Sequence, residues 1–274
     1  MTRRPGFSEQ LSGAVGRLAS TRVRGAAAAY AKLVGADPAE AELPVDRYES
    51  VLDFFTRRLK PGARSVDSDP GALVSAVDGR LLAEGPVGDG RLVQSKDRRY
   101  PLAALLEDDP LAARMGGGAY VTVYLSPRDY HRIHAPANGR IRSARVIPGT
   151  LWPVNDLGTR FKRELFVTNR RVVVELDSDR FGRVLVVMVG ATNVGAIRTT
   201  FDPELTRDFA AARRRDYDPA PTVERGDEIG VFELGSTVIV VTEAPVRLID
   251  RRPGDGVRMG QRLGMCPTPA STSA

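Results

Sequence analysis

The sequence predicts an α+β protein in which N-terminal helices precede a mostly antiparallel β core of sandwich or barrel-like form. Apolar residues recur at helical spacing within the first 60 positions. From about residue 70 to 250 the chain breaks into short β-rich runs separated by turn residues. Strands that follow one another without long helices between them favour antiparallel pairing over a doubly wound sheet.

Three helices are expected at the start. Phe7, Leu11, Ala14, Val15 and Leu18 line the first, with Arg3, Arg4, Arg17, Arg22 and Arg24 around them. The alanine-rich stretch between Gly25 and Gly35 is the second. The third is capped by Asp46, carries Tyr48, Leu52, Phe55 and Leu59 on one face, and stops at Pro61-Gly62. Strands are expected at Leu73–Val77, Arg91–Gln94, Ala119–Leu125, Arg140–Val146, Arg171–Leu176, Val184–Val189, Gly230–Leu234 and Val238–Val241, with one short helix near Leu102–Leu106. Asp78-Gly79 and Asn138-Gly139 are dipeptides of the hairpin type. The polar stretch Asp202–Arg225, with Arg213-Arg-Arg215, Pro219 and Pro221, reads as an exposed, mobile insertion. No repeat of fixed period is visible. The expected organisation is a helical region 1–60, suited to contact with a membrane surface, a β-rich domain 61–265 and a disordered tail 266–274.

Composition narrows the function. A 42% hydrophobic and 27% charged chain of 274 residues is ordinary globular protein. No apolar run reaches the roughly 18–20 residues of a spanning helix. The single cysteine, Cys266, excludes an intramolecular disulfide and a cysteine-cluster metal site. The first residues lack the apolar segment of a secretory signal, so a reducing cytoplasmic setting is expected. The net charge of +6 favours an anionic partner, whether phosphate, nucleic acid or anionic lipid.

The only histidines, His131 and His134, sit together in Asp129-Tyr-His-Arg-Ile-His134-Ala-Pro136. Three roles fit that spacing: backbone-bonded structural residues, acid–base groups, or metal ligands. A metal site would lack a third histidine or a cysteine to complete a usual zinc set, whereas proton transfer near neutrality suits imidazole. Gly235-Ser236-Thr237 lies between two apolar β runs. It reads as a bulge, or as a self-cleaving bond in which the Ser236 hydroxyl attacks the carbonyl of Gly235. Such a serine needs a base, and the base a carboxylate. Asp78 and Asp129 are both candidates on spacing.

The chain resembles the phosphatidylserine decarboxylase family of self-processing, pyruvoyl-dependent enzymes. The resemblance runs through Phe54-Phe-Thr-Arg-Arg-Leu-Lys-Pro-Gly-Ala-Arg64, Asp67-Ser-Asp-Pro70, Val77-Asp-Gly79, Leu125–Pro136, Pro148–Asn155, Leu165–Asn169, Val189–Ile197 and Gly226–Thr237, or roughly residues 50–265. Lys96-Asp97, Asn169-Arg170-Arg171 and Ala76 depart from the usual family pattern.

The resemblance implies that Ser236 becomes the pyruvoyl group after cleavage between Gly235 and Ser236, leaving chains 1–235 and 236–274 held together by a shared sheet. It implies that Asp78 and His134 activate Ser236 and that His131 serves as the acid–base group of decarboxylation; on physical grounds the Thr237 hydroxyl or a backbone amide is expected to stabilise the oxyanion. No metal is expected. The implied reaction turns phosphatidylserine into phosphatidylethanolamine through a Schiff base, at the cytoplasmic face of a cell membrane to which the protein binds peripherally. The N-terminal helices and Arg213–Arg215 are the expected contacts with anionic lipid. Members of the family often self-associate, so a homo-oligomer is also in view. The alternatives are a pyruvoyl decarboxylase of another serine lipid or amine, and, in a different class, a basic nucleic-acid-binding β protein. The second would need stacking aromatics, and only 6% of residues are aromatic, so nucleic acid is not expected as a partner.

Overall fold

The computed structural model describes residues 16–95, 98–154, 162, 164–191, 196–233 and 236–267. Most of the first expected helix, Lys96-Asp97, Gly235 and residues 268–274 of the expected tail lie outside these.

In the helical region, residues 16–20 are helical and are followed by α1 (Ala26–Val34) and α2 (Val51–Phe55). The third helix is shorter than its apolar spacing predicts. Its cap is Ser50, whose hydroxyl accepts the Asp53 N–H at 3.1 Å, while Asp46 sits in a separate single turn, Val45–Arg47, opened by Pro44. Leu59 has left the helix and bridges back to Ala41.

The β region carries β1 (Ala72–Val74), β2 (Gly79–Pro86), β3 (Arg91–Ser95), β4 (Arg98–Pro101), β5 (Ala119–Leu125), β6 (Arg132–His134), β7 (Gly139–Ile147), β8 (Arg171–Ser178) and β9 (Gly182–Gly190). It continues with β10 (Ile197–Thr199), β11 (Arg213–Asp216), β12 (Thr222–Val223), β13 (Glu228–Phe232), β14 (Ser236–Thr242), β15 (Arg247–Leu248), β16 (Gly256–Val257) and β17 (Arg262–Met265). Short helices α3 (Leu102–Leu106), α4 (Asp109–Arg114) and α5 (Leu165–Thr168) interrupt the series where one was expected. Among the described residues the largest sheet runs β11-β7-β8-β9-β14-β5-β2-β16, with β12 also on β7. It is antiparallel throughout and open at both ends, not a closed barrel. Its central strands β9 and β14 are buried on both faces, which is why they read as unbroken apolar runs.

The stretch Asp202–Arg225 is built into this sheet, contrary to the expectation of a mobile insertion. β11 pairs with β7 residue by residue, and buried Asp202 takes two hydrogen bonds from Arg215 and one from Tyr217. Arg213 and Arg214 pair with Asp208 and Asp216. These neighbouring carboxylates offset the charges that the sequence suggested for lipid.

Asp78-Gly79 and Asn138-Gly139 do not close hairpins either. β1 pairs with β17 and β2 with β5, while β6 pairs with β13 and β7 with β8. The two turns are copies of one motif related by a pseudo-two-fold. Val74 N–H donates to Pro136 O and His134 N–H to Ala76 O, so positions sixty apart exchange equivalent bonds. A second strand segment completes each copy: β16–β17 for the first and β12–β13 for the second. Ser75 N–H reaches Gln261 O and Ala135 N–H reaches Asp227 O, both at 2.8 Å, and Gly260 and Gly226 return the bond to Ser75 O and Ala135 O, both at 2.9 Å. A Cβ on Gly79 or Gly139 would collide with the carbonyl of Tyr124 or Asp177. The first half of each copy recurs sixty residues later but the second half thirty-four residues earlier, so no fixed sequence period exists to be read.

Candidate active site

Both histidines are placed by β6 and the turn before it. Ser126 opens that turn: its N–H and hydroxyl both donate to Asp129 Oδ2 at 2.7 Å. The Asp129 carboxylate is thereby engaged, and it is the backbone carbonyl of Asp129 that accepts from His131 Nδ1 at 2.8 Å. A carbonyl only accepts, so Nδ1 carries the proton and Nε2 presents a lone pair. That Nε2 is fully buried without a hydrogen-bond partner. Phe55 of α2 lies on the ring at 3.8 Å between centroids. Burial pushes the His131 pKa down to about 3 against the opposing bond to Asp129, with a smaller repulsion from the Arg57 charge adding to it. Charged imidazolium is thus strongly disfavoured there.

The helical region is seated directly on this segment. Tyr30 donates to Pro127 O at 3.3 Å, Arg57 to Arg128 O at 3.0 Å, and Arg132 to Thr56 O at 3.0 Å. Arg132 also pairs with Glu228 on β13 at 2.7 Å.

His134, two strand positions on, sits where Val74 sits in the first copy. Its Nδ1 donates to Gly226 O at 2.6 Å, so its Nε2 too is a lone pair, and that lone pair accepts the Tyr130 hydroxyl at 3.1 Å. Burial lowers the His134 pKa, while the Gly226 bond, Glu228 and Asp78 oppose the shift. Gly226 has a φ of 94°, and a Cβ there would strike Val66, so the turn presenting this carbonyl requires glycine.

Asp78 lies in the turn adjoining His134 but makes no hydrogen bond to it. Its Oδ1 accepts from Met259 N–H at 2.8 Å and from Arg64 Nε at 2.9 Å, and its Oδ2 also faces the Arg64 guanidinium. Glu40 holds the far side of Arg64 at 2.8 Å. Burial opposes the Arg64 charge, but bonds and attraction from Asp78 and Glu40 outweigh it and raise the Arg64 pKa. The expected carboxylate–imidazole hydrogen bond is therefore replaced by a backbone carbonyl, and Asp78 acts on His134 through its charge alone. Asp78 and Tyr130 border a cavity of about 970 Å³ together with Arg57, Arg64, Asp67 and Arg258. Neither histidine nor Ser236 lines it.

Ser236 opens β14 between Leu125 on β5 and Gly190 on β9. It is fully buried, and among the described residues its Oγ has no hydrogen-bond partner. Such a group is costly and rare in a folded protein. Thr237 Oγ1 is equally orphaned, but successive strand residues project to opposite faces, so it does not share the side of Ser236. Asn169, fully buried, braces the Gly190 side. Its Nδ2 donates to Gly190 O and Trp152 O, both at 2.8 Å, and its Oδ1 accepts from Trp152 N–H at 2.9 Å. Tyr130, Arg64, Gly226 and Asn169 were not singled out by residue type. Tyr130, four residues before His134, carried the one available signal.

A sequence profile of the family described as phosphatidylserine decarboxylase matches residues 51–265. The chain is 45% identical over 264 residues to a phosphatidylserine decarboxylase proenzyme of Anaeromyxobacter sp. (strain K), covering 93% of each chain. It is 43% identical to that of Myxococcus xanthus (strain DK1622), covering 86% of this chain and 85% of the relative. It is 38% identical to that of Brevibacillus brevis (strain 47 / JCM 6285 / NBRC 100599), covering 78% of each.

Proposed function

The chain belongs to the phosphatidylserine decarboxylase family, and from this premise we propose how its own residues make and use the reactive centre. The protein is a phosphatidylserine decarboxylase, forming phosphatidylethanolamine. The observation that carries the mechanistic reading is the orphaned Ser236 Oγ, a nucleophile held dry at the start of a central strand.

Ser236 Oγ attacks the carbonyl of Gly235 while His134 Nε2 takes its proton, and the amide becomes an ester. The ester then eliminates: the Ser236 Cα proton is removed, the oxygen leaves with Gly235 as a carboxylate, and dehydroalanine remains. Water converts it to a pyruvoyl group and ammonia. Ionised Asp78, held by Arg64, stabilises the imidazolium that forms on His134. A buried polar atom without a partner suits the birthplace of such a group.

When formed, the pyruvoyl group supplies an electrophilic carbonyl for the substrate amine and accepts the electrons released with carbon dioxide. His131 Nε2, an unpartnered lone pair in a buried site, takes the proton that the substrate amine gives up and delivers it to the carbon from which carbon dioxide departs; because burial disfavours the charged ring, it carries that proton only in passing. Phe55 excludes water from the ring face it covers.

Membrane access falls to the helical region. Leu18 and Leu33 are 77% and 84% exposed, and exposed Arg17 and Lys32 are their neighbours in sequence. Exposed leucines next to basic residues suit peripheral docking on anionic lipid. Among the described residues no helix is long and apolar enough to cross a membrane.

The test is the intact mass of the denatured protein together with its activity on phosphatidylserine vesicles. Chains 1–235 and 236–274, the smaller blocked by a pyruvoyl group, are expected. A single full-length chain that still decarboxylates would sink the self-processing mechanism. Activity on other serine lipids or amines but not on phosphatidylserine would move the substrate assignment to them.

A further inference from the structure

If His134 is the base for Ser236, then Tyr130 and Ser236 compete for one atom. His134 Nε2 has one lone pair in the ring plane, because Nδ1–H is committed to Gly226 O at 2.6 Å. That lone pair is filled by the Tyr130 hydroxyl at 3.1 Å, and Ser236 Oγ has no partner. We propose that Tyr130 is a positioning residue that latches the base: its hydroxyl holds His134 Nε2 in the resting precursor, and processing begins when the phenol lets go and Ser236 donates in its place. The proposal rests on the reading of His134 as the base for Ser236 and deepens it by naming what controls that base.

The surroundings favour such a latch. Tyr130 is buried but borders the cavity that also reaches Asp78, and release of the phenol toward that cavity is the movement the latch requires. Burial raises the Tyr130 pKa to about 12, so the hydroxyl stays protonated and remains a donor at any working pH. The charged groups around His134 are Glu228 across the ladder on β13, Asp78 in the adjoining turn and Arg132 on β6 itself, with Arg64 beyond Asp78. All stay in place when only the Tyr130 hydroxyl is removed.

The latch has a kinetic signature. Tyr130 competes for neutral imidazole only, as does the solvent proton. Tyr130→Phe therefore speeds cleavage on the high-pH plateau, about five-fold for a hydrogen bond of ~1 kcal/mol. In acid, where the proton already fills Nε2, the two rates converge. A residue that merely supports the fold would slow cleavage at all pH values.

The experiment follows cleavage of freshly translated full-length precursor on denaturing gels, from about pH 5 to about pH 9, for wild type, Tyr130→Phe and His134→Ala. Faster plateau cleavage in Tyr130→Phe with convergence in acid is expected; an unchanged or slower plateau overturns the latch. If His134→Ala cleaves at the wild-type rate, the base assignment beneath the proposal fails instead. A second readout does not depend on cleavage. With only two histidines in the chain, the ¹⁵N resonance of His134 Nε2 in a Ser236→Ala precursor can be assigned. Tyr130→Phe should shift it toward a free imidazole lone pair, and no shift would show that the hydroxyl never held it.

Discussion

Asp78 and Asn138 occupy the same position in two copies of one turn. The Oδ1 of each accepts a distant backbone N–H at 2.8 Å, from Met259 and from Arg225 respectively. One side-chain oxygen is all the turn requires, and asparagine supplies it in the second copy. What Asp78 adds is a charge, which Arg64 holds and His134 feels.

Asp78→Asn should therefore fold, since its turn chemistry is already present at Asn138. Losing the Arg64 charge pair should cost roughly 1–3 kcal/mol, because Glu40 still holds the guanidinium. Precursor cleavage should fall by at least roughly tenfold, since charge assistance to a general base is lost. Thermal melting and a cleavage time course measure the two effects separately. A well-folded variant that cleaves at the wild-type rate would show that the charge has no part in activation.

The pH dependence of cleavage follows from the burial of His134. The base works when neutral, and burial places its pKa below the ordinary histidine value. Cleavage should thus persist below the pH at which an exposed histidine charges, and fail as pH drops through the lowered value. Asp78 opposes the depression, so the acid limb of Asp78→Asn should lie at still lower pH. A limb displaced upward in that variant would contradict the assigned sign.

Ser236→Ala should leave one uncut chain that is at least as stable as the wild-type precursor, and up to about 1–3 kcal/mol more stable, because it removes a buried hydroxyl with no partner. Ser143, whose hydroxyl donates to Glu175 at 2.8 Å, is the control: Ser143→Ala should destabilise. Denaturant titration of the two variants against an uncleaved reference decides the comparison.

Leu18→Ser with Leu33→Ser should weaken sedimentation with anionic phospholipid vesicles roughly tenfold, about 1.4 kcal/mol of lost apolar burial, and leave self-cleavage intact. Salt should weaken the remaining binding further. Unaltered vesicle binding would move the docking surface elsewhere.

The strands were legible because their interiors are runs of Val, Ile and Leu flanked by turn residues. Ala119–Leu125 was placed to the residue. The helix capped by Ser50 was not, since the apolar spacing of Tyr48, Leu52, Phe55 and Leu59 continues across a cap that hydrogen bonding determines. Of the expected site, the histidine pair and Ser236 stood out by type and setting. The partners of those residues did not. Gly226 acts through a carbonyl that every residue possesses, and Asp129 orients His131 through its backbone instead of its carboxylate. Asp202–Arg225 misled because its arginines pair with acids brought close only by folding.

The place of β14 has a consequence for the life of the molecule after processing. That strand lies between β9 and β5, and β16 and β17 complete the first copy of the duplicated turn. A break before Ser236 would give all three to a separate polypeptide, while the second copy stays within the longer one. Folding of the precursor is unimolecular, but reassembly after the break needs two chains to meet. The cut enzyme would then melt at a temperature that rises with its concentration and regain its structure in proportion to it, whereas the precursor would do neither.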